Sequence, residues 1–263
     1  MVFSHPETTF RMLTQNQIRL ISSLEVKKYR QVNSLFVVEG EKMVSELLLQ
    51  DRIAVAGIWG TAVWAERNPE LRQLGGGKFQ EVSEPELKKI SSLTTPNAVL
   101  AVAEIPGESP DFTLPRHRLC FYLDDIQDPG NMGAILRIAD WFGFPAVYCS
   151  PGSVDIYNSK VIQSSMGAVF RVRSWELLLD ELLASAGAIP VAGAVFNGEN
   201  VLEADLPAFG LLVIGNEGRG ISAKTENMLT RRLTIPRHPD GRAESLNASV
   251  AAGILAALSL RGR

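Results

Sequence analysis

Runs of apolar, often β-branched residues recur along the chain between stretches in which apolar positions return every three or four residues. The first pattern predicts strands and the second amphipathic helices. In the N-terminal part, strands are expected at 35–38, 53–59 and 99–102, with helices at 15–24, 41–49 and 84–92. This alternation describes a small α/β unit. Farther along, strands are expected at 119–123, 146–149, 169–172, 190–195, 211–214 and 233–235, with helices such as 175–184 and 222–229 between them. These later strands are continuously apolar rather than alternating, which implies an α/β fold with a mostly parallel sheet and helices on both faces. Pro106, Pro110 and Pro115 fall in the polar stretch between the two parts. Each fixes φ and removes an amide donor, so neither a long helix nor a central strand fits there. Two domains, 1–105 and 118–263, are therefore expected around a linker at 106–117. Gly75, Gly76 and Gly77 read as a flexible loop.

The 263 residues are 46% hydrophobic and 21% charged, a composition that excludes disorder and collagen. The uncharged stretch 186–198 is interrupted by Gly and Pro and is shorter than the roughly 20 apolar residues of a membrane span, so no membrane partner is expected. The N-terminus, MVFSHPETTFRML, carries a Pro and an acid where an export signal would place a basic and then an apolar region, so a cytoplasmic protein is expected. Cys120 and Cys149 stand 29 positions apart among strand residues, a spacing that suits buried inert thiols and no metal site. Net charge is −3, which by itself does not point to a nucleic acid. Locally, Lys27, Lys28 and Arg30 surround Tyr29, a small basic patch that suits either RNA phosphate or a solvated helix face.

Ligands of open parallel sheets bind beyond the carboxyl ends of strands. Three strand-end loops carry candidate chemistry. In the first, Asn131 is expected to cap a helix with the apolar stripe Met132, Ile135, Leu136 and Ala139, while Gly130, Gly133 and Arg137 share another face. A guanidinium over a glycine-lined helix start suits bidentate phosphate contact, though taken alone the segment reads more readily as an ordinary capped helix with a surface Arg. The second, Ile214 to Gly220, is glycine-rich, but its order matches neither G-x-G-x-x-G nor the P-loop, so a dinucleotide or nucleotide-phosphate site is disfavoured. Glu217 there is either a first-turn helix acid or a site carboxylate. The third runs from Ile235 to Asn247, and Ser245 or Asn247 would cap a helix rich in Ala. His5, His117 and His238 are not placed as members of a Ser-His-Asp set.

In order and placement, DPGNMGAILRIADWFG, LVIGNEGRGIS and ESLNASVAAGILAAL resemble the three motifs of the SpoU (TrmH) family of AdoMet-dependent RNA 2'-O-ribose methyltransferases. GSVDIYNSKVIQSSMGAVFRV resembles the segment between the first two motifs, so the likeness spans about residues 118–260. VKKYRQVNSLFVVEGEKMVSELL is similar to the ribosomal-protein-like substrate-binding domain of many members. The resemblance implies a SPOUT fold with a deep C-terminal trefoil knot, a homodimer, S-adenosylmethionine as cofactor, and RNA as partner, either ribosomal or transfer RNA with ribosomal favoured. It carries the family's polar motif residues onto Asn131, Arg137, Glu217, Ser245 and Asn247. The cofactor would be held around Ile214, Gly215, Asn216, Glu217, Gly218, Ile235 and Leu246, with RNA on Lys27, Lys28, Arg30, Arg137 and Lys160. No metal is implied. One departure is visible: Arg237 follows Pro236 where members commonly have Met, and the link to Glu244 is about two residues longer.

An arginine is effectively never neutral in proteins. Arg137 is therefore expected to bind phosphate and stabilise the developing alkoxide, while Asn131, Ser245 and Asn247 orient the ribose hydroxyl. The rival expectation is a catalytically silent RNA-binding protein that keeps the fold; retention of all five polar residues speaks against it.

Overall fold

The computed structural model describes residues 12–261. Residues 1–11, which hold His5 and most of the stretch read for an export signal, lie outside the described residues. The chain divides into two compact units, Met1–Pro106 and Gly107–Arg263.

In the first unit, α1 (Gln15–Ser23) opens at Thr14, whose hydroxyl accepts from the Gln17 amide while the Gln17 side chain accepts from the Thr14 amide. This reciprocal cap satisfies two donors that a helix start otherwise leaves open. There follow α2 (Lys27–Asn33), β1 (Leu35–Glu39), α3 (Glu41–Leu48), β2 (Val55–Gly60), α4 (Ala62–Arg67), α5 (Pro69–Gly75), β3 (Phe79–Glu81), α6 (Glu84–Ile90) and β4 (Val99–Glu104). The sheet order is β1-β4-β2-β3, antiparallel except for the parallel β2–β3 pair. Ile21, Leu24, Val37, Leu87, Leu100 and Val102 pack in one core cluster. Of the three glycines expected in a loop, Gly75 is buried at the end of α5, where a Cβ would lie 2.6 Å from Ile58 Cδ1, whereas Gly76 and Gly77 are exposed with open space around them.

The second unit comprises β5 (Leu119–Asp124), α7 (Pro129–Phe142), β6 (Ala146–Cys149), α8 (Ser159–Ser165), α9 (Ala168–Arg171), β7 (Arg173–Glu176), α10 (Leu179–Ala186), β8 (Val191–Asn200), β9 (Gly210–Gly215), α11 (Ala223–Glu226), β10 (Arg231–Thr234) and α12 (Ala248–Leu258). Its six strands run in the order β10-β8-β9-β5-β6-β7 with every pair parallel. β5 is buried at each position, as a sheet covered on both faces requires. Cys120 and Tyr122 pack with Leu179, Leu182 and Ala186 of α10, whereas Phe121, which strand alternation turns the other way, stacks on Phe144 at 4.5 Å. Burial pushes the Cys120 thiol up to about 12 and raises that of Cys149 as well.

Two sequence expectations fail between residues 168 and 186. The apolar run at 169–172 is largely the helix α9, entered through left-handed Met166 and Gly167 and closed by Val172 N donating to Ala168 O at 2.9 Å. A buried four-residue run reads alike as strand or helix from periodicity. Trp175, expected in a helix, lies in β7, and α10 begins only at Leu179. The helix expected at 222–229 shrinks to the four residues of α11. Much of the expected linker is packed onto the second unit. Trp175 Nε1 donates to Glu108 O (3.0 Å), Tyr148 Oη donates to Asp111 O, Phe112 and Leu114 lie against the core, and Pro115 is buried. No helix among the described residues is long and apolar enough to cross a membrane.

The chain runs outward from β5 through β6 to β7, then returns on the other side of β5 through β8 and β9. The order reverses between β5 and β9, and ligands of open parallel sheets bind beyond the strand ends at such a reversal.

Candidate active site

At this reversal α7 starts with Asp128 as its cap, accepting from the Asn131 amide at 2.8 Å, and with Pro129 in the first turn. The sequence expectation that Asn131 is the cap is thereby corrected. Asn131 sits three residues inside the helix, 7% exposed, with its side-chain amide free to reach other elements. Its Nδ2 donates to Glu217 Oε1 at 2.6 Å, and its Oδ1 accepts from Asn247 Nδ2 at 2.8 Å. The polarity of this chain is determined by its far end. Asn247 caps α12, its Oδ1 accepting from the Ser249 and Val250 amides at 2.9 and 3.3 Å. Backbone N–H groups only donate, so Asn247 must turn its Nδ2 to Asn131, and Asn131 must then offer Nδ2 to the Glu217 carboxylate. One amide of α7 thus joins the loop after β9 to the start of α12.

The loop after β9 is closed upon itself. Asn216 and Gly220 exchange two backbone hydrogen bonds at 3.0 and 2.9 Å, and Asn216 Oδ1 accepts from the Gly218 and Arg219 amides. Asn216, expected to hold the cofactor, therefore has its side chain engaged within the protein. Gly215 is required for an internal reason too: a Cβ there would lie 2.3 Å from Gly220 C and from Ile221 N. Buried Asp124, which the sequence reading passed over, accepts from the Ser222 amide at 2.7 Å and so fixes the loop's exit.

Other expected site residues stay outside this network. Arg137 is exposed and has no hydrogen-bond or ion-pair partner among the described residues. Asp140, one turn on, is taken by Arg171 through contacts of 2.9–3.2 Å. Gly133 does not line an open face with Arg137, because a Cβ on it would lie 1.9 Å from Ser164 Oγ of α8. Ser245 is exposed without a partner among the described residues, and Asn247 does the capping. Lys28 and Lys160 are exposed and Lys27 is half-buried. Arg30 is a correction. It is 2% exposed, and its Nη1 donates to the carbonyls of Leu24 and Glu25 at 2.7 and 2.8 Å, which removes it from any phosphate surface.

The chemistry of the loops fits a nucleoside cofactor better than a phosphate. Arg219 is the only cation of the 214–222 segment, and it is paired with Asp125 at 2.5 Å. Half-buried Ile235 and exposed Leu246 add apolar surface, and the backbone N–H of Leu246 makes no hydrogen bond among the described residues. An apolar surface with an unpaired backbone N–H and a nearby carboxylate suits a largely apolar ligand that carries a cationic centre, which the sulfonium cofactor implied by the sequence resemblance would be. Among the described residues no His, Cys, Asp and Glu side chains cluster as a metal site.

Comparison with known proteins agrees with this chemistry. The model of the SpoU rRNA Methylase family matches residues 118–257, and that of the MRM3-like substrate binding domain matches residues 15–101. The 23S rRNA (guanosine(2553)-2'-O)-methyltransferase RlmP of Bacillus subtilis (strain 168) is 32% identical over 237 residues, covering 88% of this chain and 91% of its own length. The 23S rRNA (uridine(2479)-2'-O)-methyltransferase of Streptomyces viridochromogenes is 33% identical over 178 residues, 64% of this chain and 61% of its own. A solved TrmH-family structure from Porphyromonas gingivalis superposes with a TM-score of 0.83 at 39% identity, over 95% of this chain and 98% of the other. An AdoMet-bound rRNA methyltransferase from Sinorhizobium meliloti gives 0.79 at 25% identity, over 95% of both chains. The chain belongs to the SpoU rRNA methylase family and is, as such, an AdoMet-dependent RNA methyltransferase.

Proposed function

We propose that this protein methylates a ribose 2'-hydroxyl of ribosomal RNA, in the cytoplasm, as a homodimer whose chain end is threaded as a trefoil knot. The observation that carries the reading is the Asn247–Asn131–Glu217 chain, which joins side chains up to 116 positions apart at the sheet's reversal. AdoMet, when bound, supplies an electrophilic methyl group on a sulfonium. Backbone groups around Ile214, Gly215, Gly218, Ile235 and Leu246 hold it, and Glu217 places a carboxylate beside them. Much of the rate comes from holding two reactants together, an effect worth up to roughly 7–11 kcal/mol. Asn131, Glu217 and Asn247 keep the three loops in register for that purpose. Arg137, whose guanidinium has no hydrogen-bond or ion-pair partner among the described residues, takes the phosphate next to the target ribose, stabilising the developing alkoxide. Ser245, exposed just before α12, orients the hydroxyl.

Residues 1–105 select the RNA, with Lys27 and Lys28, and Lys160 of the second unit, contributing phosphate contacts that weaken with salt. The ribosomal target is supported by the 23S rRNA activities of the two relatives named above. The homodimer is supported by exposed apolar side chains on and beside α7 and α12: Trp141 is 84% exposed, Val250 48% and Leu246 47%. The test is a map of ribose methylation in RNA from cells with and without the protein. One 2'-O-methyl group should vanish from the large ribosomal RNA. Loss confined to transfer RNA would overturn the substrate, and no loss with no AdoMet binding would favour a silent RNA-binding protein.

A further inference from the structure

Asp125, the first residue after β5, has φ +61, a left-handed backbone that few residues other than Gly, Asn and Asp adopt. Four contacts hold it there. Its amide donates to Ser150 Oγ at 2.8 Å, and its carbonyl accepts from Asn216 Nδ2 at 2.8 Å. Its Oδ1 accepts from Gln127 Nε2 at 3.1 Å, and its Oδ2 pairs with Arg219 Nη2 at 2.5 Å. The half-buried carboxylate lies close against Gly152, where a Cβ would sit 2.6 Å from Oδ1. Asn216 and Arg219 flank Glu217 in the loop after β9. Asp125 therefore grips that loop on both sides of the carboxylate that meets Asn131.

We propose that Asp125 and Arg219 form a latch that holds the 215–220 loop in its ligand-ready shape, positioning Glu217 against Asn131 and the loop backbone toward the nucleoside cofactor. Asp125 is a positioning residue, acting through the loop; its link to cofactor affinity rests on the AdoMet reading above. The left-handed backbone supplies a clean perturbation. Glycine adopts positive φ without strain, so Asp125→Gly keeps the backbone and the carbonyl that receives Asn216 while deleting only the carboxylate.

The experiment uses the full chain, its Asp125→Gly and Arg219→Ala variants, and the double variant. Hydrogen exchange without cofactor reads the Gly218, Arg219 and Gly220 amides. Each single variant should speed their exchange about fivefold, and the double variant no further, because both changes delete the same pair. Calorimetry with AdoMet should then show affinity about fivefold weaker in each variant, equivalent to about 1 kcal/mol. Arg219 is 71% exposed on its side chain, so salt screens the pair. Wild-type affinity should fall with salt more steeply than that of the variants. Unchanged exchange, or losses that multiply in the double variant, would overturn the latch. Faster exchange with unchanged AdoMet affinity would overturn the positioning role. If wild type binds no AdoMet, the cofactor reading fails while the exchange arm still decides the latch. Arg219→Ala, at an exposed side chain, carries the same test if glycine at 125 weakens the fold.

Discussion

Asn247 has two duties that one substitution can separate. Its Oδ1 caps α12 by accepting from the Ser249 and Val250 amides, and its Nδ2 donates to Asn131 Oδ1 at 2.8 Å. Asn247→Asp preserves the acceptor and so the cap, because Asp and Asn are about equally good in that position. It deletes the donor. Asn131, 7% exposed, then faces a carboxylate with its own carbonyl, or turns its amide and presents that carbonyl to Glu217 instead. Either arrangement leaves a buried acceptor unpaired, at a cost of about 1–3 kcal/mol. If the chain serves the transition state, a loss of that size lowers the rate by about 10–10²-fold. Asn247→Ala removes the cap as well, adding about 1 kcal/mol of lost stability and a fall of about 2–4 °C in Tm. The assay is single-turnover methyl transfer at saturating AdoMet and RNA, paired with thermal unfolding. The expected pattern is Asn247→Asp slow with a Tm lowered by the unpaired acceptor alone, and Asn247→Ala slow with the fall from the lost cap added to it. A rate for Asn247→Asp within about threefold of wild type, with a comparably intact fold, would reduce Asn247 to a helix cap and refute the reasoning.

The same geometry makes four further predictions. Gly215→Ala should lower both Tm and AdoMet affinity, whereas Gly218→Ala, whose Cβ would find only Asn216 Oδ1 at 3.7 Å, should leave Tm nearly unchanged; calorimetry and thermal melts compare them. Arg137→Lys should slow single-turnover transfer about tenfold while AdoMet affinity and Tm hold, since its exposed guanidinium makes no hydrogen bond or ion pair among the described residues. Arg30→Ala should destabilise the first unit by about 2–3 kcal/mol, because it removes a charged donor from two carbonyls, while Lys28→Ala should leave Tm unchanged. The Cys120 thiol is raised to about 12 by burial, so the folded chain keeps a proton that the unfolded chain loses near pH 8.5; stability should therefore fall as pH rises from about 8.5 toward 12, read by denaturant melts, and the native thiol should resist alkylation at pH 8.

What the sequence determined by itself is the part of the protein governed by short-range periodicity. The stripe Met132, Ile135, Leu136 and Ala139 repeats at helical spacing, and all four side chains are fully buried in α7. The continuous apolar strands implied a parallel sheet, and the second unit has one in every pair. The first two polar loops were visible because they follow such strands, β5 and β9, and the third, after the less apolar β10, because Ser245 and Asn247 precede an Ala-rich helix. Where local patterns are ambiguous, reading stopped: 169–172 is apolar enough for strand or helix, and only the turn at Met166 and Gly167 decided for α9.

The tertiary structure decided which polar groups meet, because their partners lie far away along the chain. Asn131 reads as a cap in isolation. It becomes a bridge only because Asp128 takes the cap and because Glu217, 86 positions on, and Asn247, 116 positions on, arrive beside it. Arg30 reads as a surface cation within the basic patch Lys27–Arg30, yet the fold turns it inward onto the carbonyls that end α1. Asp125 and Arg219, 94 positions apart, were unremarked residues of two loops until β5 and β9 were paired. Periodicity measures how often a residue type recurs, and hydrogen bonding depends on which atoms are brought within about 3 Å, a distance that only the complete fold supplies.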